Sequence, residues 1–138
     1  MAVTTAIVRT IVTDEVPERS SWKFQTTMKD ENGVAIVESD INTLTLTIYV
    51  PDAPLAQDDD MTIVNGCDAV DILNTGRGTV GTSNGLLTII FEADDSEIVN
   101  TTKRRETHVA LIEVTWQGGQ KQVAHEVAWS VVNMGRRT

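Results

Sequence analysis

Two histidines are the side chains in this chain best suited to acid–base chemistry. His108 begins one predicted strand and His125 lies within the next, so a hairpin could bring them onto adjacent strands. His125 shares its strand face with Val123 and Val127. A histidine on such an apolar face is more often a hydrogen-bonded core or interface residue than a catalyst. We therefore predict no catalytic residue.

The acidic run Asp58–Asp60 could offer oxygen ligands to a hard cation such as calcium. Consecutive Asp side chains diverge, however, and the spaced acids of an EF-hand loop are missing, so a solvated loop is the better interpretation. The start of a short helix explains Asp94, Asp95 and Glu97 without a ligand. Cys67 is the single cysteine and lacks a nucleophile motif. The sequence also lacks phosphate-loop, dinucleotide and zinc motifs, and it predicts no metal and no cofactor.

Three tryptophans offer a different chemistry, because aromatic rings can stack on sugars. Trp22, Trp116 and Trp129 fall on the inward faces of predicted strands, where a core role is commoner than a binding platform. A carbohydrate-binding or host-attachment module is therefore the alternative function rather than the leading one.

Basic residues cluster on an otherwise acidic chain. With 11 Lys plus Arg against 20 Asp plus Glu, the formal net charge is −9, which disfavours nucleic acid or an anionic membrane as a partner. Head-to-tail assemblies often join unlike-charged faces, so the basic residues, together with apolar residues near the N-terminus, are candidate contacts between subunits. The candidate assembly contacts are Val3, Ile7, Val8, Lys103, Arg104, Arg105, Arg136 and Arg137.

The elements that must position these residues are strands. Apolar residues recur at spacing two, most clearly in Thr43–Val50, where one face is apolar and the other is Thr-rich. Ser21–Lys29 alternates likewise, and the following Asn32-Gly33 turn predicts that Val34–Val37 return antiparallel. The run Leu86–Phe91 predicts a strand buried on both faces.

The last third of the chain carries the strongest pattern. His108–Trp116 and Lys121–Asn133 alternate and are joined by a Gly-Gly turn, which predicts a long hairpin. The only helix-like segment is Asp94–Val99, with Asp94 or Asp95 as its N-cap. Short strands at Met61–Val64 and Ala69–Leu73 complete a set of seven or eight.

A chain of 138 residues with these elements predicts one all-β domain, an antiparallel β-sandwich with one short helix, or alternatively a partly closed barrel. We divide it into residues 1–13, a first strand or an assembly arm, residues 14–134, the sandwich, and residues 135–138, a flexible tail. The single cysteine cannot close an internal disulfide, so we expect synthesis in a reducing cytosol. The start of the chain does not match a signal peptide and no run is long enough for a membrane span, so we expect no membrane partner.

Two segments carry a family resemblance. One is Trp22-Lys23-Phe24 followed by Lys29–Gly33, and the other is Ala110–Trp116 with His125-Glu126-Val127 and Val131-Val132-Asn133. Together, over residues 20–134, they resemble immunoglobulin-like β-sandwich proteins of tailed-bacteriophage virions, similar to the N-terminal domain of upper baseplate proteins.

The resemblance implies a non-enzymatic virion structural protein, either decorating or stabilising the head or lying in the neck, tail or baseplate. Its implied partners are other virion proteins, namely capsid, neck or tail subunits, and further copies of itself in a symmetric assembly. Packing would use sheet edges, loops and the N-terminal arm.

Overall fold

The computed structural model describes residues 8–29, 33–51, 61–99, 104–117 and 121–134. Ten strands run through these residues in chain order: β1 (Val8–Ile11), β2 (Val16–Pro17), β3 (Trp22–Thr27), β4 (Ile41–Pro51), β5 (Met61–Ile63), β6 (Val70–Asp71), β7 (Gly78–Val80), β8 (Leu86–Phe91), β9 (Arg105–Trp116) and β10 (Lys121–Val132). Short 3₁₀ turns lie at Glu38–Asp40 and Ala93–Ser96.

The strands form two sheets that pack face to face. The larger sheet has the order β1-β10-β9-β4-β5, with β2 also beside β10 and β6 also beside β4, and the smaller sheet has the order β3-β8-β7. This arrangement confirms the predicted all-β sandwich.

Alternation places the core between the sheets. Leu44, Leu46 and Ile48 of β4 are fully buried, and Leu87 and Ile89 of β8 belong to the same apolar cluster. The prediction that β8 is buried on both faces was wrong, because its remaining residues are only partly buried. A two-layer sandwich covers one face of each sheet and leaves the other towards solvent.

The β9–β10 hairpin forms the centre of the larger sheet. Its two strands of twelve residues pair antiparallel, and β9 also pairs with β4 along the opposite edge. A register shift between Val123 and His125 interrupts the ladder, so a bulge bends β10 there. The predicted long hairpin is thus present, with β9 beginning three residues earlier than its alternation indicated.

The N-terminal strand lies at the edge of this sheet. β1 runs parallel to β10, with Val8 opposite His125 and Ile11 opposite Ala128. After a break, β2 continues along the same neighbour. Val8–Ile11 therefore forms a strand in its own chain, while residues 1–7 lie outside the described residues and exchange of an arm between subunits stays a prediction.

Two local predictions were wrong, and one strand was missed. Val34–Val37 does not return as a strand, since the bridge between Lys29 and Ala35 stands alone. The helix predicted over Asp94–Val99 is a 3₁₀ turn that begins after Glu92, so neither predicted N-cap holds that position. Sequence reasoning also missed β7, because its first residue, Gly78, reads as part of a turn.

The buried face of β4 allows a direct test of the sandwich core. Replacing Leu46, which is fully buried, with alanine removes apolar contacts from both layers and should lower the free energy of unfolding by about 2–5 kcal/mol. The matched control Val70→Ala alters a residue that is 40% exposed and should change it by no more than about 0.5 kcal/mol. Urea unfolding of both variants measures the difference, and equal losses would contradict this core.

Candidate functional site

Three loops meet around one buried carboxylate at one end of the sandwich. Asp95 lies in the 3₁₀ turn after β8 and has no solvent exposure. Its oxygens accept hydrogen bonds from the Arg77 guanidinium in the turn before β7, from Asn65 Nδ2 (2.9 Å) in the turn after β5, and from the Glu92 backbone N–H (2.7 Å). We call Asp95, Arg77, Asn65, Cys67 and Glu92 the Asp95 cluster.

Arg77 connects this carboxylate to the single thiol of the chain. Its side chain is 18% exposed, its Nη1 lies 3.7 Å from Cys67 Sγ, and its Nε lies 3.7 Å from the Glu92 carboxylate. The Cys67 thiol also lies 3.3 Å from the backbone C=O of Leu46 and donates to it. Burial raises the pKa of Cys67 despite the nearby guanidinium, so the sulfur stays a protonated thiol rather than a nucleophilic thiolate.

A second buried polar group adjoins the first. His108 is fully buried; its Nδ1 lies 2.9 Å from the backbone C=O of Asp95, and its Nε2 lies 2.8 Å from the carboxylate of Glu106. A carbonyl oxygen only accepts, so Nδ1 carries a proton. The same Glu106 oxygen accepts the N–H of Val99 (2.8 Å), while Trp129 Nε1 donates to Ser96 Oγ (3.2 Å).

These contacts fix loops and bury the acid–base groups that form them. Both nitrogens of His108 are engaged inside the protein, and Asp95 and Glu106 are no more than 3% exposed. A general acid or base must reach the proton that it transfers, and these side chains are sealed from any substrate in this conformation. These hydrogen bonds therefore connect the loops to β9 and hold them in one arrangement.

The hairpin places the two histidines on adjacent strands, as predicted, but not opposite one another. His108 is opposite Trp129, which lies four positions along β10 from His125. His125 is buried, its ring lies 5.2 Å from that of Phe24, and its Nε2 lies 2.9 Å from Thr10 Oγ1 on β1. The ring therefore sits between the two sheets beside the N-terminal strand.

The tryptophans belong to the packing between the sheets. Trp116 and Trp129 are 3% and 1% exposed, respectively. Trp22 is partly buried and stacks on Phe91 with ring centroids 4.5 Å apart. No two of these rings lie together on an open face, so these three tryptophans do not form a sugar-stacking platform.

The predicted assembly contacts are only partly placed. Arg104 is exposed, and Arg105 pairs through Nε with Glu15 Oε1 at 2.9 Å on the surface. The backbone of Val8 lies in β1 at the sheet edge. The other candidates, Val3, Ile7, Lys103, Arg136 and Arg137, lie outside the described residues, as does the acidic run Asp58–Asp60.

The longest edge strand was missed as a site by sequence reasoning. β3 has six residues, whereas β1, β5, β6 and β7 have between two and four. It borders β8 on one side, and the described residues supply no strand on its other side. β3 also packs over β10, as the contacts of Phe24 with His125 and of Trp22 with Trp129 show, so edges of both sheets lie on one side of the sandwich.

No family model matches this sequence, and no curated protein matches it either. In the described part of the chain, no three His, Cys, Asp or Glu side chains are grouped to hold a metal ion. None of the helical segments described is long and apolar enough to span a membrane.

The ion pair within the Asp95 cluster can be tested by truncation. Arg77→Ala leaves the Asp95 carboxylate buried without its cation and should lower the free energy of unfolding by about 3–5 kcal/mol. Arg19→Ala is the matched control, since its ion pair with Glu97 is exposed and contributes no more than about 1 kcal/mol. Urea unfolding of the two variants decides, and a small loss for Arg77→Ala would show that the pair does not hold the loops.

The buried ring of His125 predicts a pH dependence. Burial lowers the pKa of His125 below its ordinary value of 6.5, so the unfolded chain takes up a proton at a higher pH than the folded chain does. Neutral His125 makes its full contribution to the free energy of unfolding above about pH 6.5. This contribution is lost as the pH falls from there towards the pKa of His125 in the folded protein.

His125→Gln removes this dependence while retaining a polar side chain near Thr10. The variant should lose less stability than the parent between about pH 7.5 and 5.5, the difference in slope being at most about 1.4 kcal/mol per pH unit for one proton. Urea unfolding at several pH values measures both slopes. Equal slopes would show that His125 does not drive the acid sensitivity.

Proposed function

We propose that this protein is a non-enzymatic structural component of a tailed-phage virion that packs on neighbouring subunits through strand edges. The observation that carries the proposal is the side of the sandwich where β3 and the β1–β10 pair lie together. Exposed strand edges present backbone donors and acceptors to another chain, which is a common basis of β-sheet assembly.

The fold and the family resemblance support the same proposal. An immunoglobulin-like identity for the sandwich is part of the proposal, and the parallel pairing of β1 with β10 beside the antiparallel β9–β10 hairpin is compatible with it. The proposed partners are capsid, neck or tail subunits and further copies of this chain in a symmetric ring or shell. The proposed location is the virion, on the head or in the neck, tail or baseplate.

The chemistry of the interior favours binding over catalysis. The groups best suited to acid–base chemistry, His108 and Glu106, are hydrogen-bonded to one another inside the core. The thiol of Cys67 is buried, and burial raises its pKa. Polar groups held in this way stabilise one arrangement of loops, which suits a subunit that must present the same surface in every copy.

The burial of two tryptophans counts against the carbohydrate-binding alternative. Trp116 and Trp129 are needed between the sheets, and Trp22 presents one ring face to Phe91. A sugar platform would need rings that are coplanar with a substrate and open to solvent.

The proposal is tested on the particle itself. Electron cryomicroscopy of intact virions from the phage that encodes this chain should show density for the sandwich in a repeated position, and mass spectrometry of the purified particles should detect the protein in stoichiometric amounts. Host proteins that copurify serve as the background. Absence from washed particles by both measurements would contradict the proposal.

A further inference from the structure

We propose that β3 pairs with β3 of a second copy of this chain, antiparallel and about a twofold axis through Gln25, to join two three-stranded sheets into one. The inference specifies the self-assembly part of the proposed function and rests on that function for its place in the virion.

Hydrogen-bond parity shows which backbone groups of β3 face outward. β3 pairs with β8 in one continuous register, from Trp22 opposite Phe91 to Thr27 opposite Leu86. Met28 continues this register, because its N–H donates to the C=O of Gly85. Bonded pairs alternate in an antiparallel ladder, so Trp22, Phe24 and Thr26 bond to β8. The N–H and C=O groups of the intervening residues Lys23, Gln25 and Thr27 then point away from it.

The other edge of β8 gives an independent check. The N–H of Ile90 donates to Arg77 C=O, and the N–H of Gly81 donates to Leu86 C=O. Even-numbered residues of β8 therefore bond towards β7, which leaves the odd-numbered residues for β3. Both observations give the same parity, so β3 offers three donors and three acceptors along its open edge.

This edge lacks two of the usual protections against pairing, proline and a bulge, and carries the third, a charge, only at Lys23. β3 contains no proline, and its register with β8 runs without a bulge from Trp22 to Thr27. By contrast, Pro17 lies in β2 and Pro51 ends β4. The Gln25 side chain donates to Thr88 Oγ1 at 3.0 Å, so it lies over its own sheet. Natural sheets commonly protect open edges with prolines, bulges or charges, and an edge without proline or a bulge is suited to pairing where its one charge faces an uncharged residue.

Charge restricts the register in which β3 can pair with a second copy. Lys23 is the only charged residue of β3, so pairing that sets it opposite itself is disfavoured. The axis through Gln25 places Lys23 opposite Thr27 of the second copy and Gln25 opposite itself. All three outward residues of each strand then form bonded pairs, which is the largest number that this edge allows. On the inner face, the same register sets Phe24 opposite Thr26 of the second copy.

Cysteine crosslinking tests this register in the full-length protein. In a bonded antiparallel pair the two Cα atoms are about 5.5 Å apart, within the range that a disulfide spans. Gln25→Cys should therefore give a covalent dimer with oxidised glutathione. Lys23→Cys is the matched control, because the two thiols would be four residues apart along the strands, about 13 Å, and should stay unlinked. The parent chain, whose Cys67 is buried, sets the background.

A second pair of variants tests the backbone bonds. Gln25→Pro removes the outward N–H while sparing every bond to β8, whereas Gln25→Ala keeps the N–H, and both lose the contact with Thr88. Sedimentation equilibrium should give a dimer dissociation constant at least about tenfold higher for the proline variant than for the alanine variant. Circular dichroism confirms that each variant is folded.

The outcomes separate this inference from the proposed function. Crosslinking at position 25 and not at position 23, with the dimer weakened by proline alone, supports the pairing. Crosslinking at position 23, at both positions equally, or at neither overturns it. A protein present in virions but unlinked at position 25 leaves the proposed function standing without this interface. A linked protein that is absent from virions retains the interface and refutes the function.

Discussion

The buried carboxylate of Asp95 sets the geometry of one end of the molecule. An ionised group without solvent requires matching charge and hydrogen bonds, and here they come from Arg77, Asn65 and the backbone of Glu92. Arg77 and Asn65 lie in separate turns, 18 and 30 residues away in sequence, so satisfying one side chain fixes several connections at once. The carbonyl of the same residue accepts from His108, which extends the constraint into β9 and the larger sheet. These hydrogen bonds join loops of both sheets and so fix the position of one sheet relative to the other.

Much of the architecture could be predicted from periodicity because long alternating runs leave few alternatives. The apolar face of β4 and the β9–β10 hairpin follow directly from residues two apart. The wrong predictions concern segments whose conformation is set by contacts with residues distant in sequence. Ile36 N–H donates to Met28 C=O, and Glu38 N–H then donates to Gly81 C=O, so the chain after the Asn-Gly turn crosses the end of the smaller sheet instead of returning along β3.

The candidate sites could not be predicted in the same way, since they depend on the order of strands. The acids around Asp95 indicated a helix start, and nothing in their spacing indicated Arg77 or Asn65 as partners. Likewise, β3 was expected to pair with Val34–Val37, and its open edge exists because that pairing does not form. Which N–H groups face outward follows only from the register with β8. Local pattern determines which residues form strands, while distant pairing determines which edges stay available.

The parallel pairing of β1 with β10 has a mechanical consequence. The chain enters β1 at the end where Val8 lies opposite His125 and leaves β10 at the opposite end, beyond Val132. Tension applied to the two ends therefore pulls these neighbouring strands in opposite directions along their common axis. Their hydrogen bonds lie across that direction and are sheared together rather than opened one after another. A subunit tethered through its ends would thus resist stretching collectively at this edge.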